Sequence, residues 1–186
     1  LDTATGIDVQ DKHLAGMINE IGVGVIIIAN KWDLLQETKT NTQKKQIKEH
    51  DTLLKVIHYS LPGITFAPIV FTSALNGHNV HKLLALALEV HKNRQQKISK
   101  NEMEALLPKL ILYHRPVKSK GTIHPVIKRI KQIGASPPTF KIIIGYQQTL
   151  HHSYLKYLEN RLREFYDFTG SPIKIIVEQA IQPELS

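Results

Sequence analysis

Apolar positions along the chain follow two rhythms, and the switch between them outlines the elements. Leu14, Met17, Ile18 and Ile21 recur at spacings of three and four, which predicts an amphipathic helix with Asp8 as its N-cap and Gly22 as its stop. Val23 to Ala29 is then a continuous β-branched run, too short for a helix and apolar on both faces, as expected of a central parallel strand. A polar stretch from Gln36 to Gln43 leads into a second helical pattern through Ile47, Leu54, Ile57 and Leu61, broken by Pro62-Gly63. "PIVFTSA" (residues 68–74) reads as another buried strand, and Val80, Leu83, Leu84, Ala87 and Leu88 supply the next helix. Helix, strand, helix, strand, helix in this order predicts part of a doubly wound α/β sheet.

The pattern changes after "KNRQQK" (residues 92–97), which carries no apolar residue and is the natural linker. Ser99 and Glu102 form an S-x-x-E capping box, each side chain able to reach a free backbone amide at a helix start. Met103, Leu106, Leu107, Leu110 and Ile111 give that helix one apolar face. Two strand-like runs follow, "VIKRIKQI" and "TFKIIIG", with Gly134 and Pro137-Pro138 between them as turn chemistry. Leu155, Leu158, Leu162 and Phe165 return to helical spacing, and "IKIIVE" is a last strand. The expected boundaries are therefore residues 1–97 for a first domain with its linker and 98–186 for a second, α+β domain of order α-β-β-α-β.

Composition narrows the classes. A chain of 186 residues with 42% hydrophobic and 22% charged residues is that of an ordinary globular protein. No stretch approaches a membrane span and no signal-peptide pattern opens it, so a cytoplasmic location is expected. Cysteine is absent, which excludes disulfide scaffolds, thiolate zinc sites and cysteine nucleophiles. The chain opens on Leu1-Asp2-Thr3, which reads like the end of a strand and suggests a fragment. Of its net charge of +8, most lies after residue 97, where 13 Lys and Arg stand against 7 Asp and Glu. Arg115, Lys118, Lys120, Lys128, Arg129 and Lys131 fall in one stretch without a carboxylate, either a solvated basic face or an electrostatic footprint for RNA or ribosome.

The most specific chemistry stands at the end of the first buried strand. Asn30, Lys31, Trp32 and Asp33 spell N-K-x-D, and parallel α/β sheets bind ligands outside the carboxyl ends of their strands. Guanine presents N1–H and N2–H donors side by side, so the Asp33 carboxylate can accept both in a charge-assisted pair, which adenine cannot match. Asn30 would serve the O6/N7 edge or tie neighbouring loops, the Lys31 stem would lie on the base, and Trp32 has the character of loop packing. The next strand ends in Ser73, Ala74 and Leu75, where a small residue lets a backbone amide approach O6.

With "LDTATGIDVQD", "NKWD" and "TSAL" in the first part and "PPTF", "YLENRLRE" and "GSPI" in the second, the chain resembles the Der (EngA) family of double GTPases. The resemblance implies a fold of two parts: the C-terminal half of a Ras-like P-loop GTPase sheet, then a small KH-like domain. It also implies a GTP-hydrolysing switch in large ribosomal subunit biogenesis, with GTP or GDP and Mg2+ as cofactors in the intact bacterial protein. Its partners would be the large subunit and its rRNA, with intramolecular docking on the GTPase domains.

No G-x-x-x-x-G-K-[ST] occurs, so the cradle for phosphates and the hydroxyl for Mg2+ are missing from these 186 residues. No catalytic residue is assigned, no metal site is expected, and this chain alone should neither hold GTP tightly nor hydrolyse it. No two glycines after residue 98 stand three apart, so the G-x-x-G loop by which KH domains grip RNA is also absent. The rival reading is a non-catalytic RNA- or ribosome-binding scaffold. Histidines 78, 81, 151 and 152 lack a third ligand at useful spacing and read as surface polarity. Tyr154, Tyr157, Phe165 and Tyr166 read as core and helix-face residues.

Overall fold

The structure is a computed structural model that describes residues 1–37, 43–114, 116 and 124–181. Its chain divides into two compact units, residues 1–93 with 169–172, and residues 94–168 with 173–186.

The first unit begins with helix α1 (Val9–Ile21). Asp8 accepts the Asp11 amide while the Asp11 side chain accepts the Asp8 amide, a reciprocal cap, and Gly22 closes the helix at a left-handed φ of 81°. Strand β1 (Ile27–Ala29) is shorter than the apolar run from residue 23, because only these residues find a neighbour: β2 (Ile69–Phe71), in parallel register Ile27 to Ile69 and Ala29 to Phe71. On the other edge of β1, residues 1–3 add a strand stub, with Asn30 N–H donating to the Leu1 carbonyl (2.9 Å) and Thr3 N–H to that of Asn30 (2.9 Å).

A six-residue helix, α2 (Trp32–Glu37), follows β1 directly, and α3 (Gln43–Ser60) ends at the 3-10 turn Pro62–Ile64. Helix α4 (Lys82–Arg94) closes the unit's main segment. The core joins Ala15, Ile27, Ala29, Trp32, Ile57, Leu61, Ile64, Ala67 and Phe71. Helix α4 departs from its expected face: Val90 is buried, whereas Leu84 and Leu88 are 72% and 63% exposed. Residues 169–172 complete the unit. The Val25 amide donates to the Gly170 carbonyl and the Gly170 amide to that of Phe66, and a φ of +75° makes glycine the residue suited to this turn.

The second unit follows the order α5 (Lys100–Tyr113), β3 (Ile127–Ala135), β4 (Pro138–Ile144), α6 (His152–Phe165), β5 (Lys174–Gln179). Ser99 and Glu102 cap α5 reciprocally. β3 and β4 form an antiparallel pair, and β5 joins β4 in parallel. Alternate residues of β4 (Phe140, Ile142, Ile144) face Met103, Leu106 and Leu110 of α5 and Tyr154, Leu158 and Leu162 of α6, so both helices cover one face of the sheet. Tyr154 and Tyr157 are wired in as well, donating to the carbonyls of His114 (2.9 Å) and Leu110 (2.8 Å). The first unit is α/β, built on a parallel pair, and the second is α+β, with both helices on one face of a mixed sheet. Among the described residues no helix is long and apolar enough to cross a membrane.

Candidate guanine-recognition site

The parallel pairing of β1 and β2 brings their carboxyl ends together, and backbone hydrogen bonds then fix the loops that leave them. Thr72 N–H donates to the Ala29 carbonyl (2.9 Å), and Trp32 N–H donates to the Thr72 carbonyl (3.0 Å). The chain therefore turns sharply at Lys31, whose φ of 63° is uncommon for a residue with a side chain.

Asn30 is the joint of the site. Its Oδ1 accepts the Ala74 amide at 3.0 Å and the Thr72 hydroxyl at 3.3 Å, linking the N-K-x-D segment to the Ser73–Leu75 loop. Of its two roles read from sequence, the structure displays the tie between loops. The Ala74 amide, one of the loop amides among which an O6 donor is expected, is engaged by Asn30 here. Ser73 is buried, pairs its amide with the His78 carbonyl (3.2 Å), and accepts the Asn76 amide at its hydroxyl (3.4 Å). Leu75, at the loop's tip, is 87% exposed.

Asp33 sits in the first turn of α2 with only 9% of its surface exposed. Trp32 points the other way, into the core, with its ring 4.7 Å from that of Phe71 and edge-on to His50. It is thus a packing residue that anchors the segment. Lys31 reaches Asp2, Nζ to Oδ2 at 2.7 Å. That hydrogen bond lowers the Asp2 carboxyl below its usual range and raises the Lys31 ammonium.

Three contributors were not legible as site residues: Asp2, which holds Lys31; Thr72; and Asn79, whose Nδ2 donates to the Phe71 carbonyl (2.9 Å) and pins the turn behind the loop. Only Asp2 had a signal, since Leu1-Asp2-Thr3 already read as a strand end.

Of the basic stretch, Arg115, Lys118 and Lys120 lie outside the described residues. Lys128, Arg129 and Lys131 are exposed on β3, with Lys128 at a bulge between Ile127 and Arg129. Among the histidines, His151 caps α6 by accepting the Ser153 amide at Nδ1, and His78 Nε2 lies 3.0 Å from Asn79 Nδ2. Among the described residues no three His, Cys, Asp or Glu side chains assemble as a metal site.

Two family models match successive parts of the chain. Residues 1–93 match the family model of the elongation factor Tu GTP-binding domain, and residues 97–178 match the KH-domain-like C-terminal domain of EngA bacterial GTPase enzymes. GTPase Der of Fusobacterium nucleatum is 36% identical over 96% of the chain, and that of Alkaliphilus oremlandii 35% identical over 96%. The chain spans 39% of the length of each of these relatives. A crystal structure of Aquifex aeolicus Era bound to GDP.AlF4- aligns with 99% of the chain and 64% of its own at 18% identity, with a TM-score of 0.36, a level that supports no inference.

Proposed function

Because the chain belongs to the Der (EngA) family of GTPases, we propose that its first unit is the guanine-recognition half of a GTP-hydrolysing switch acting in large ribosomal subunit biogenesis in the bacterial cytoplasm. The observation that carries this reading is the Asn30 joint, which sets N-K-x-D and Ser73–Leu75 side by side at adjacent strand ends.

In this reading the Asp33 carboxylate accepts guanine N1–H and N2–H, a pairing that adenine leaves unsatisfied on both sides. Asp33 is well suited to it, because burial strengthens a charge-assisted hydrogen bond. Guanine O6 competes with Asn30 Oδ1 for the Ala74 amide, with the Leu75 amide next along the loop. The stem of Lys31, held at its tip by Asp2, forms one wall for the base. Trp32 and Ser73 act as anchors beneath the pocket.

Phosphate binding and Mg2+ supply the chemistry of GTP hydrolysis, and both require a phosphate-binding loop that these 186 residues do not contain. The chain by itself therefore names the base and does not turn over GTP. The KH-like unit adds a contact with ribosomal RNA, favoured by the basic residues on β3 and by the charge of the second half.

Titration of the labelled chain with GDP and with ADP, followed by the amide resonances of residues 30–33 and 73–75, tests the reading. GDP should shift these resonances at millimolar concentration and ADP should not, while calorimetry with GTP should show no micromolar binding. Equal shifts with both nucleotides would remove base recognition from this site, and micromolar GTP binding would refute the division of labour.

A further inference from the structure

Helices α5 and α6 cover one face of the β3-β4-β5 sheet, and on the other, more open face the described residues run from half-buried Thr139, Lys141 and Ile143 to exposed Arg129, Lys131 and Lys174. Strand register places the open-face residues opposite one another. Arg129 stands across from Ile143, and Ile143 from Glu178; Lys131 stands across from Lys141, and Lys141 from Ile176; Thr139 stands across from Lys174. Among the described residues, four cations thus share a small three-stranded surface with one carboxylate. Glu178 is paired with Lys141 at 2.5 Å, and that hydrogen bond, with the charge of Lys131 adding to it, holds its carboxyl below the usual range.

Composition decides what such a face can meet. Protein interfaces deplete lysine toward their centres and enrich aromatics, yet here Lys141 occupies the middle strand and, among the described residues paired on this face, none is aromatic. A surface for single-stranded RNA would need rings on which bases stack, and it has none. What remains is an array of ammonium and guanidinium groups standing on aliphatic stems, flanked by Ile143 and by Ile176, which is 46% exposed. That combination suits the phosphates of an RNA duplex, which is recognised by shape and backbone rather than by base edges.

We propose that the open face of this sheet, and not the basic stretch 115–131 alone, docks double-stranded RNA through Arg129, Lys131, Lys141 and Lys174. The inference deepens the reading of the second unit as an RNA-contacting module and rests on it. Binding is independent of sequence and steeply dependent on salt. Lys141 and Lys174 are the informative members, because they lie outside the basic stretch and on different strands from it.

The test uses the full chain and a labelled RNA duplex in fluorescence anisotropy across a salt series. Lys141→Gln with Lys174→Gln should lower affinity and reduce the slope of log K against log salt by about 2. Lys100→Gln with Lys109→Gln removes the same charge from α5, on the covered side of the sheet, and should leave both nearly unchanged. Circular dichroism establishes that each variant remains folded. If the β4-β5 variant binds as the wild type does, the sheet face is not the surface, although the RNA reading survives. If poly-L-glutamate competes for the wild type or single-stranded poly(U) is preferred, the duplex assignment is overturned. Failure of the wild type to bind any RNA would overturn the RNA reading together with this inference.

Discussion

The parallel pair β1-β2 puts its chemistry at strand ends, whereas β3-β4-β5 puts it on a face, and the two placements call for different physics. At the strand ends a few directed hydrogen bonds, chiefly those accepted by Asn30 and the backbone bonds around Thr72, hold one carboxylate at a fixed place. A site of that kind discriminates, because a wrong base leaves buried polar groups unpaired. On the sheet face Arg129, Lys131 and Lys174 are exposed and Lys141 is half-buried beside Glu178, a set mostly of one sign, so what it supplies is attraction with little discrimination. The cores differ in the same sense. Among the described residues thirteen buried hydrophobic side chains form the second unit's core and nine the first's, and helix α4 of the first leaves both Leu84 and Leu88 exposed.

The largest expected effect follows from that difference in cores. Leu162 is fully buried between α6 and the sheet, and Leu162→Ala should cost about 2–5 kcal/mol in urea unfolding followed by circular dichroism. Leu84→Ala, at a position 72% exposed, should change stability by less than about 0.5 kcal/mol. A larger loss at Leu84 than at Leu162 would mean that the α4 face is covered in solution and that the contrast between the units is false.

A smaller effect separates the units by pH. Burial, with Tyr157 beside it, pushes the Tyr154 phenol up to about 12. Since the folded state then resists ionisation more than the unfolded one, this contribution to stability is complete below the ordinary tyrosine value of 10.0 and is lost as pH rises from there through about 12. Absorbance at the phenolate band should show Tyr154 titrating late in the folded chain, with Tyr166, which burial and the charge of Glu102 also push up, above the exposed tyrosines. The fluorescence of Trp32, the single tryptophan and a core residue of the first unit, should not follow that transition. Tyr154 ionising with the exposed tyrosines would show that the α6 core is looser than described.

Much of this was legible in the residues because the signals were local. Asp8 with Gly22 and Ser99 with Glu102 announce helix ends through the amides they can reach, and those ends are where the structure has them. The α5 face Met103, Leu106, Leu110 is likewise a matter of spacing. The rest depends on neighbours. Apolar residues 23–26 satisfied the composition of a strand, but pairing needs a partner backbone, which begins at Ile27. Helix α2 has only six residues, too few for a period to show. On α4 spacing points to the stripe through Leu84 and Leu88, and packing buries Val90 instead. In the candidate site N-K-x-D was visible as a string, whereas the engagement of Ala74 by Asn30 and of Lys31 by Asp2 arises from residues 44 and 29 positions apart. The open face of the second sheet was hidden for a related reason: Lys141 and Lys174 join Arg129 and Lys131 only through strand register.

The most direct test of base recognition is a change of partner at Asp33. Xanthine carries an acceptor where guanine has its N2 amine, so Asp33→Asn should transfer the response at residues 30–33 and 73–75 from GDP to XDP, read as amide shifts in parallel titrations of the two chains. Loss of the GDP response with gain of the XDP response is the predicted result. An Asp33→Asn chain that still responds to GDP as the wild type does, and ignores XDP, would contradict the assignment of Asp33 to the guanine edge.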